Sequence, residues 1–65
     1  MNWDQIQGKW KQLTGSIQAT WGDLTGDEID RIDGNREKLE RKIQEKYGKT
    51  KEEAKKAGAD WLSAH

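Results

Sequence analysis

The sequence contains no cysteine, no proline and no phenylalanine, and each absence removes a class of structure. Without cysteine there is neither a disulfide nor a thiolate metal site to hold the chain together. Without proline nothing interrupts a helix, and residues that favour strands are scarce because valine is missing as well. There is also no apolar run long enough to span a bilayer or to form a signal peptide, so we expect a cytoplasmic protein.

Charged residues make up 37% of the chain and hydrophobic residues 31%, with a mean hydropathy of −1.26. These values lie near the boundary of disordered sequences. Two features favour folding: the formal net charge is zero, and four tryptophans and one tyrosine supply large apolar side chains. With only 65 residues, we expect one all-α domain covering residues 1–65.

Capping residues and apolar spacing predict four helices. They begin at Asn2, Thr25, Asn35 and Thr50, and both threonines are followed by a glutamate three residues later, as in a capping box. Apolar residues spaced by three and four predict one buried stripe on each helix. Stacking of the tryptophans on nucleic-acid bases is the alternative, and it requires exposed rings. The predicted core consists of Trp3, Ile6, Trp10, Leu13, Ile17, Trp21, Leu24, Ile29, Ile32, Leu39, Ile43, Tyr47, Ala54, Ala57 and Trp61.

An internal repeat relates the two halves of the chain. A shift of 26 residues superposes the two aromatic-glycine pairs, Trp21-Gly22 and Tyr47-Gly48, and also places Gly8 on Gly34. This pattern predicts two αα-hairpins, about residues 2–34 and 35–64, that pack into a small four-helix bundle because neither can bury its apolar face alone.

Gly8, Gly15 and Gly22 are spaced by seven residues and lie opposite the tryptophan stripe. Gly22 suits the end of a helix, whereas Gly8 and Gly15 weaken a helix by about 1 kcal/mol each relative to alanine. They could allow the last predicted helix or a loop to approach closely, or they could be the result of neutral sequence drift. The functional alternatives are a smooth face for a partner helix and deliberately marginal stability.

No motif in the sequence indicates catalysis. The single histidine, His65, is the last residue, and the acidic stretch between Asp23 and Asp33 lacks the spacing of a calcium loop. We interpret those carboxylates as helix caps. We therefore expect no enzyme, no cofactor, no metal site and no small-molecule substrate.

Charge is distributed unevenly along the chain. Residues 1–34 carry three bases and six acids, and residues 35–65 carry nine bases and six acids, so the halves are about −3 and +3. This asymmetry allows weak self-association, and a monomer is the alternative. It also allows weak binding of nucleic acid or an acidic protein, although we favour the interpretation of these charges as an ordinary solvated surface. The candidate anion or partner face comprises Lys38, Arg41, Lys42, Lys46 and Lys49.

The combination of W-G-x-L-T-x-D from Trp21, then Gly34, then L-x-x-x-I-Q-x-x-Y-G from Leu39 resembles the CsbD-like family of small bacterial general stress-response proteins. The resemblance runs from about Trp3 to Trp61. It implies a small helical bundle in the bacterial cytoplasm whose synthesis rises under general or osmotic stress. No molecular activity is established for the family, so the resemblance assigns no catalytic residues. Arg41 stands where the family usually has glycine, and this puts in doubt a shared role for the face formed by Gly8, Gly15 and Gly22.

Two functional hypotheses follow. The first is a non-enzymatic stress-response protein that acts as a hydrophilic protectant. The alternative is a small binding module that uses the lysine-rich face of the last two predicted helices, which also includes Lys51, Lys55 and Lys56.

Overall fold

The computed structural model describes residues 2–64, so His65 and any role for it lie outside the described residues. The prediction of an all-α protein is confirmed, and residues 2–64 contain no strand. There are five helices: α1 Trp3–Gly8, α2 Trp10–Thr20, α3 Gly26–Ile32, α4 Arg36–Tyr47 and α5 Lys51–Ser63. None of these helices is long and apolar enough to cross a membrane.

The predicted number of four helices is wrong because the first predicted helix breaks at Lys9. This residue has φ −111° and ψ 17°, and its carbonyl accepts the Gln12 N–H at 2.9 Å, as in a tight turn. Gly8 ends α1, and its low helix propensity makes a break there inexpensive. The break directs α1 onto the link between α3 and α4, where Gln7 contacts Gly34 so closely that an added Cβ would lie 2.5 Å from the Gln7 Cα.

The four predicted helix starts all carry a side-chain cap. Asn2, Thr25 and Thr50 form complete capping boxes, in which the side chain of the cap and that of the third helical residue each bond the other's backbone N–H. Asn35 accepts the Lys38 N–H at 3.1 Å. Lys9, which begins α2, makes no such bond, and this explains why capping rules miss that start.

A single core joins the five helices. The buried members are Ile6, Trp10, Ile17, Trp21, Leu24, Ile29, Ile32, Leu39, Ile43, Ala54 and Trp61. Trp3, Leu13, Tyr47 and Ala57, also predicted as core, are partly buried against it together with Leu62. Each helix packs on the next along the chain, most extensively α4 on α5. Because α3 also packs on α4, the division into two hairpins stays a prediction.

The tryptophan rings occupy the core rather than the surface. Trp10 is 3% exposed and donates its Nε1–H to the Ile29 carbonyl at 2.8 Å, and Trp61 is 4% exposed and donates to Ser16 Oγ at 3.1 Å. Trp21 is 5% exposed, with its ring centroid 6.3 Å from that of Trp61. Buried rings of this kind cannot stack on bases, so the alternative role is ruled out for these three.

Candidate functional site

The carboxylate of Glu28, in the first turn of α3, makes polar contacts with three other residues. Glu28 Oε1 accepts the Thr25 N–H at 3.0 Å and contacts Lys46 Nζ at 3.2 Å. Its Oε2 contacts Lys42 Nζ at 3.1 Å. Glu28 therefore completes the capping box of α3 and also binds two lysines of α4, and these contacts fix the two helices to each other.

This arrangement changes the acidity of the groups involved. The Thr25 N–H, followed by the Lys42 and Lys46 ammonium groups, lowers the pKa of Glu28 from 4.5 to about 2. The same contact with Glu28 raises the pKa of Lys42. Each partner thus stays charged throughout the physiological pH range, as expected for a structural ion pair rather than for a general acid or base.

The candidate anion face is divided by these contacts. Lys42 and Lys46 are held by Glu28, and Lys42 also lies 3.7 Å from Glu45. Lys38 and Arg41 border a groove of about 280 Å³ between α3 and α4, which Glu28 and Glu45 also line. Lys49 is exposed in the link before α5. The other three cations of the predicted face form no ion pair with residues 2–64; they are Lys38, Arg41 and Lys49.

A second and larger groove, of about 490 Å³, lies between α4 and α5. Arg41 borders this groove as well, together with Lys51 and Lys55 of α5, which belong to the lysine-rich face of the last two predicted helices. The remaining lining residues are Arg36, Glu37, Glu40 and Gln44. The i, i+4 spacing of Lys51 and Lys55 placed them on one side of a helix, but only the packing of α5 on α4 brings that side to Arg41.

Among the residues that line this groove, the buried Glu40 holds Arg36, and Arg36 in turn contacts Trp3 of α1. Glu40 is 6% exposed and accepts from Arg36 Nε at 2.8 Å. The Arg36 guanidinium carbon lies 5.9 Å from the centre of the Trp3 ring, a cation–π contact. Trp3 in turn lies 6.4 Å from Trp61 between ring centroids. The i, i+4 spacing of Arg36 and Glu40 was visible in the sequence, whereas the burial of Glu40 was not.

None of these clusters, all within residues 2–64, has the geometry of a metal site. Residues 2–64 contain no group of three or more histidine, cysteine, aspartate or glutamate side chains able to hold a metal ion. Over the same residues, no buried side-chain nitrogen or oxygen lacks a hydrogen-bond partner. The polar groups are arranged to stabilise helix contacts and to leave charge at the surface.

Comparisons with known proteins place this pattern among small bacterial chains. The CsbD-like family pattern matches residues 4–56 and thus stops short of the core residue Trp61. A UPF0337 protein of Bordetella pertussis is 59% identical over 56 residues, which are 86% of this chain and 85% of that one. A UPF0337 protein of Pseudomonas aeruginosa is 52% identical over 61 residues, 94% of both chains. UPF0337 protein YjbJ of Escherichia coli K12 is 46% identical over 61 residues, 94% of this chain and 88% of its own. No solved structure matches significantly.

Proposed function

The chain belongs to the CsbD-like family, and from that premise we propose that it is a non-enzymatic stress-response protein of the bacterial cytoplasm. It acts as a hydrophilic protectant, synthesised in greater amount under osmotic or general stress. Its folded surface takes the place of water around other macromolecules when water becomes scarce.

The observation that carries this proposal is the separation of a small apolar core from a surface of mixed charge. All the isoleucines, two of the four leucines and three of the four indoles are buried in the core. Outside it are 12 basic and 12 acidic residues, of which only Glu40 is buried. Charged groups of both signs can hydrogen-bond to the polar surface of another protein without binding one partner tightly, because neither sign dominates.

The test is protection of a labile enzyme through drying and rehydration. We expect the purified chain to preserve more activity than an unrelated small helical protein of equal mass concentration. A variant that unfolds the chain, Ile43→Asp, keeps nearly the same composition but loses the folded surface, since Ile43 is 0% exposed. We expect it to protect less. Equal protection by the unrelated protein would refute the protectant role, and equal protection by Ile43→Asp would refute the need for a folded surface.

The stress-response part has its own measurement. The amount of the protein in its own bacterium, quantified by mass spectrometry, should rise after an osmotic upshift and after entry into stationary phase. An unchanged amount in both conditions would contradict it.

The alternative function, binding of nucleic acid or an acidic protein through Lys38, Arg41, Lys42, Lys46 and Lys49, has less support. Two of these lysines already neutralise Glu28, and an incoming anion would have to compete with that carboxylate. For the fold, the equivalent capping boxes at Thr25 and Thr50 support two packed hairpins, about residues 2–34 and 35–64.

A further inference from the structure

We propose that the groove between α4 and α5 binds a short chain of phosphoryl groups through Arg41, Lys51 and Lys55. This site is independent of the protectant role. It is a smaller part of the lysine-rich face that the sequence indicates, because Lys42 and Lys46 are bound to Glu28 and take no part.

The charges of the groove are the first support. Arg36 is paired with Glu40 at 2.8 Å, so those two lining groups largely cancel. Arg41, Lys51 and Lys55 form no ion pair with residues 2–64, and Glu37 is the one remaining acid of the lining. Four bases and two acids give the lining a net charge of +2, and its unpaired cations on facing walls favour an anion with several charges. A singly charged ion would leave most of the electrostatic repulsion between these cations in place.

The chemistry of the side chains is the second support. A guanidinium donates paired hydrogen bonds that match two oxygens of one phosphoryl group, and lysine ammonium groups act as point charges on further groups. Gln44, half-buried in the groove, adds an amide donor. Lys51 and Lys55 lie one helical turn apart on α5, so a linear anion can contact both along the groove.

The absence of a stacking platform separates this ligand from a single-stranded nucleic acid. Base-stacking sites need exposed aromatic rings beside the cations. Trp10, Trp21 and Trp61 are buried, and Trp3 is partly buried with the Arg36 guanidinium carbon 5.9 Å from its ring centre. No aromatic residue lines the groove. The phosphoryl chain itself is therefore the recognised part, whether it is free or belongs to a nucleotide.

The experiment is a titration of the full chain with tripolyphosphate at low ionic strength, followed by ¹H–¹⁵N NMR. We expect shifts concentrated at residues 41–44 and 51–55, and binding that weakens as salt is added. Arg41→Gln should weaken binding about tenfold, the effect of losing a charge-assisted hydrogen bond. The matched control is Lys38→Gln, which removes one charge from the same helix but borders only the neighbouring groove, and it should change the affinity less than about twofold. Glu37→Gln should tighten binding.

Three results would overturn the proposal: no shifts at low salt, shifts spread over all basic residues, or equal weakening by Lys38→Gln and Arg41→Gln. Adenosine and ATP identify the source of the phosphoryl chain. ATP binding as tripolyphosphate does supports a nucleotide source, and binding of tripolyphosphate alone supports a free one. Binding of adenosine, or of ATP without tripolyphosphate, would refute recognition of the phosphoryl chain.

Discussion

Replacement of Gly34 by alanine tests the packing of α1 on the link between α3 and α4. Gly34 has φ +78°, a left-handed conformation that costs an L-residue about 1–2 kcal/mol. The new Cβ would also lie 2.5 Å from the Cα of Gln7, a backbone atom that can yield only if α1 moves. Overpacking of this kind costs a further ~1–3 kcal/mol. We therefore expect Gly34→Ala to lower the free energy of unfolding by about 2–5 kcal/mol.

Two other glycines provide matched controls for the same substitution. Gly48 also has a positive φ, +63°, but nothing lies within 4 Å of its added Cβ, so Gly48→Ala should cost only about 1–2 kcal/mol. Gly15 lies inside α2 with nothing within 4 Å, so Gly15→Ala should stabilise the protein by about 1 kcal/mol. The series separates the effect of backbone conformation from that of the contact.

Urea unfolding followed by far-UV circular dichroism measures all three variants. A domain of this size has a stability of roughly 3–10 kcal/mol, so Gly34→Ala removes a large part of it. In thermal unfolding the loss corresponds to a fall in Tm of at least about 8 °C. If Gly34→Ala were no more destabilising than Gly48→Ala, α1 would not pack on the link, and the helix break at Lys9 would lack its structural reason.

Three further predictions follow from individual contacts. Trp10→Phe removes the donor to the Ile29 carbonyl and should lower the free energy of unfolding by about 1–3 kcal/mol in urea. Thr25→Ala and Thr50→Ala should each cost about 1 kcal/mol and lower Tm by similar amounts, since the two capping boxes are alike, and a much larger effect of one would contradict that equivalence. Because the pKa of Glu28 falls from 4.5 to about 2 on folding, its contribution is present above pH 4.5 and lost as pH falls towards 2. As pH is lowered from 4.5 towards 2, the urea concentration at the unfolding midpoint should therefore fall less steeply for Glu28→Gln than for the unmodified protein.

Local rules predicted the helix starts because the responsible interactions lie within one turn. Asn2, Thr25, Asn35 and Thr50 each bond a backbone N–H three residues later, and such a pattern can be read directly from the sequence. The CsbD-like resemblance is confirmed by the family match, and it depends on the same short segments.

The break at Lys9 was missed because no capping side chain marks it. The repeat nevertheless contained a signal: the shift of 26 residues places Gly8 on Gly34, and Gly34 lies between two helices. The structure also contradicts the interpretation that Gly8 and Gly15 admit a closely packed neighbour. Gly8 and Gly15 have nothing within 4 Å of an added Cβ, so they do not serve a close approach of another helix.

The contacts that join the helices could not be predicted from periodicity. Periodicity identifies which side of a helix is apolar, but not which partner it meets. The bond from Trp10 to Ile29, the double contact of Glu28 with α4, and the meeting of Arg41 with Lys55 in one groove all join residues on different helices. These long-range contacts determine both the stability predictions and the candidate anion site.

The shortness of the helices has a consequence for how the chain folds. The five helices have 6, 11, 7, 12 and 13 residues, while isolated helices shorter than about 12–15 residues are marginal in water. Each helix is therefore stabilised mainly by its packing in the shared core. Amide hydrogens throughout α1–α5 should exchange with solvent by one common opening event rather than helix by helix. The smallest cooperative unit of this protein is then the whole domain.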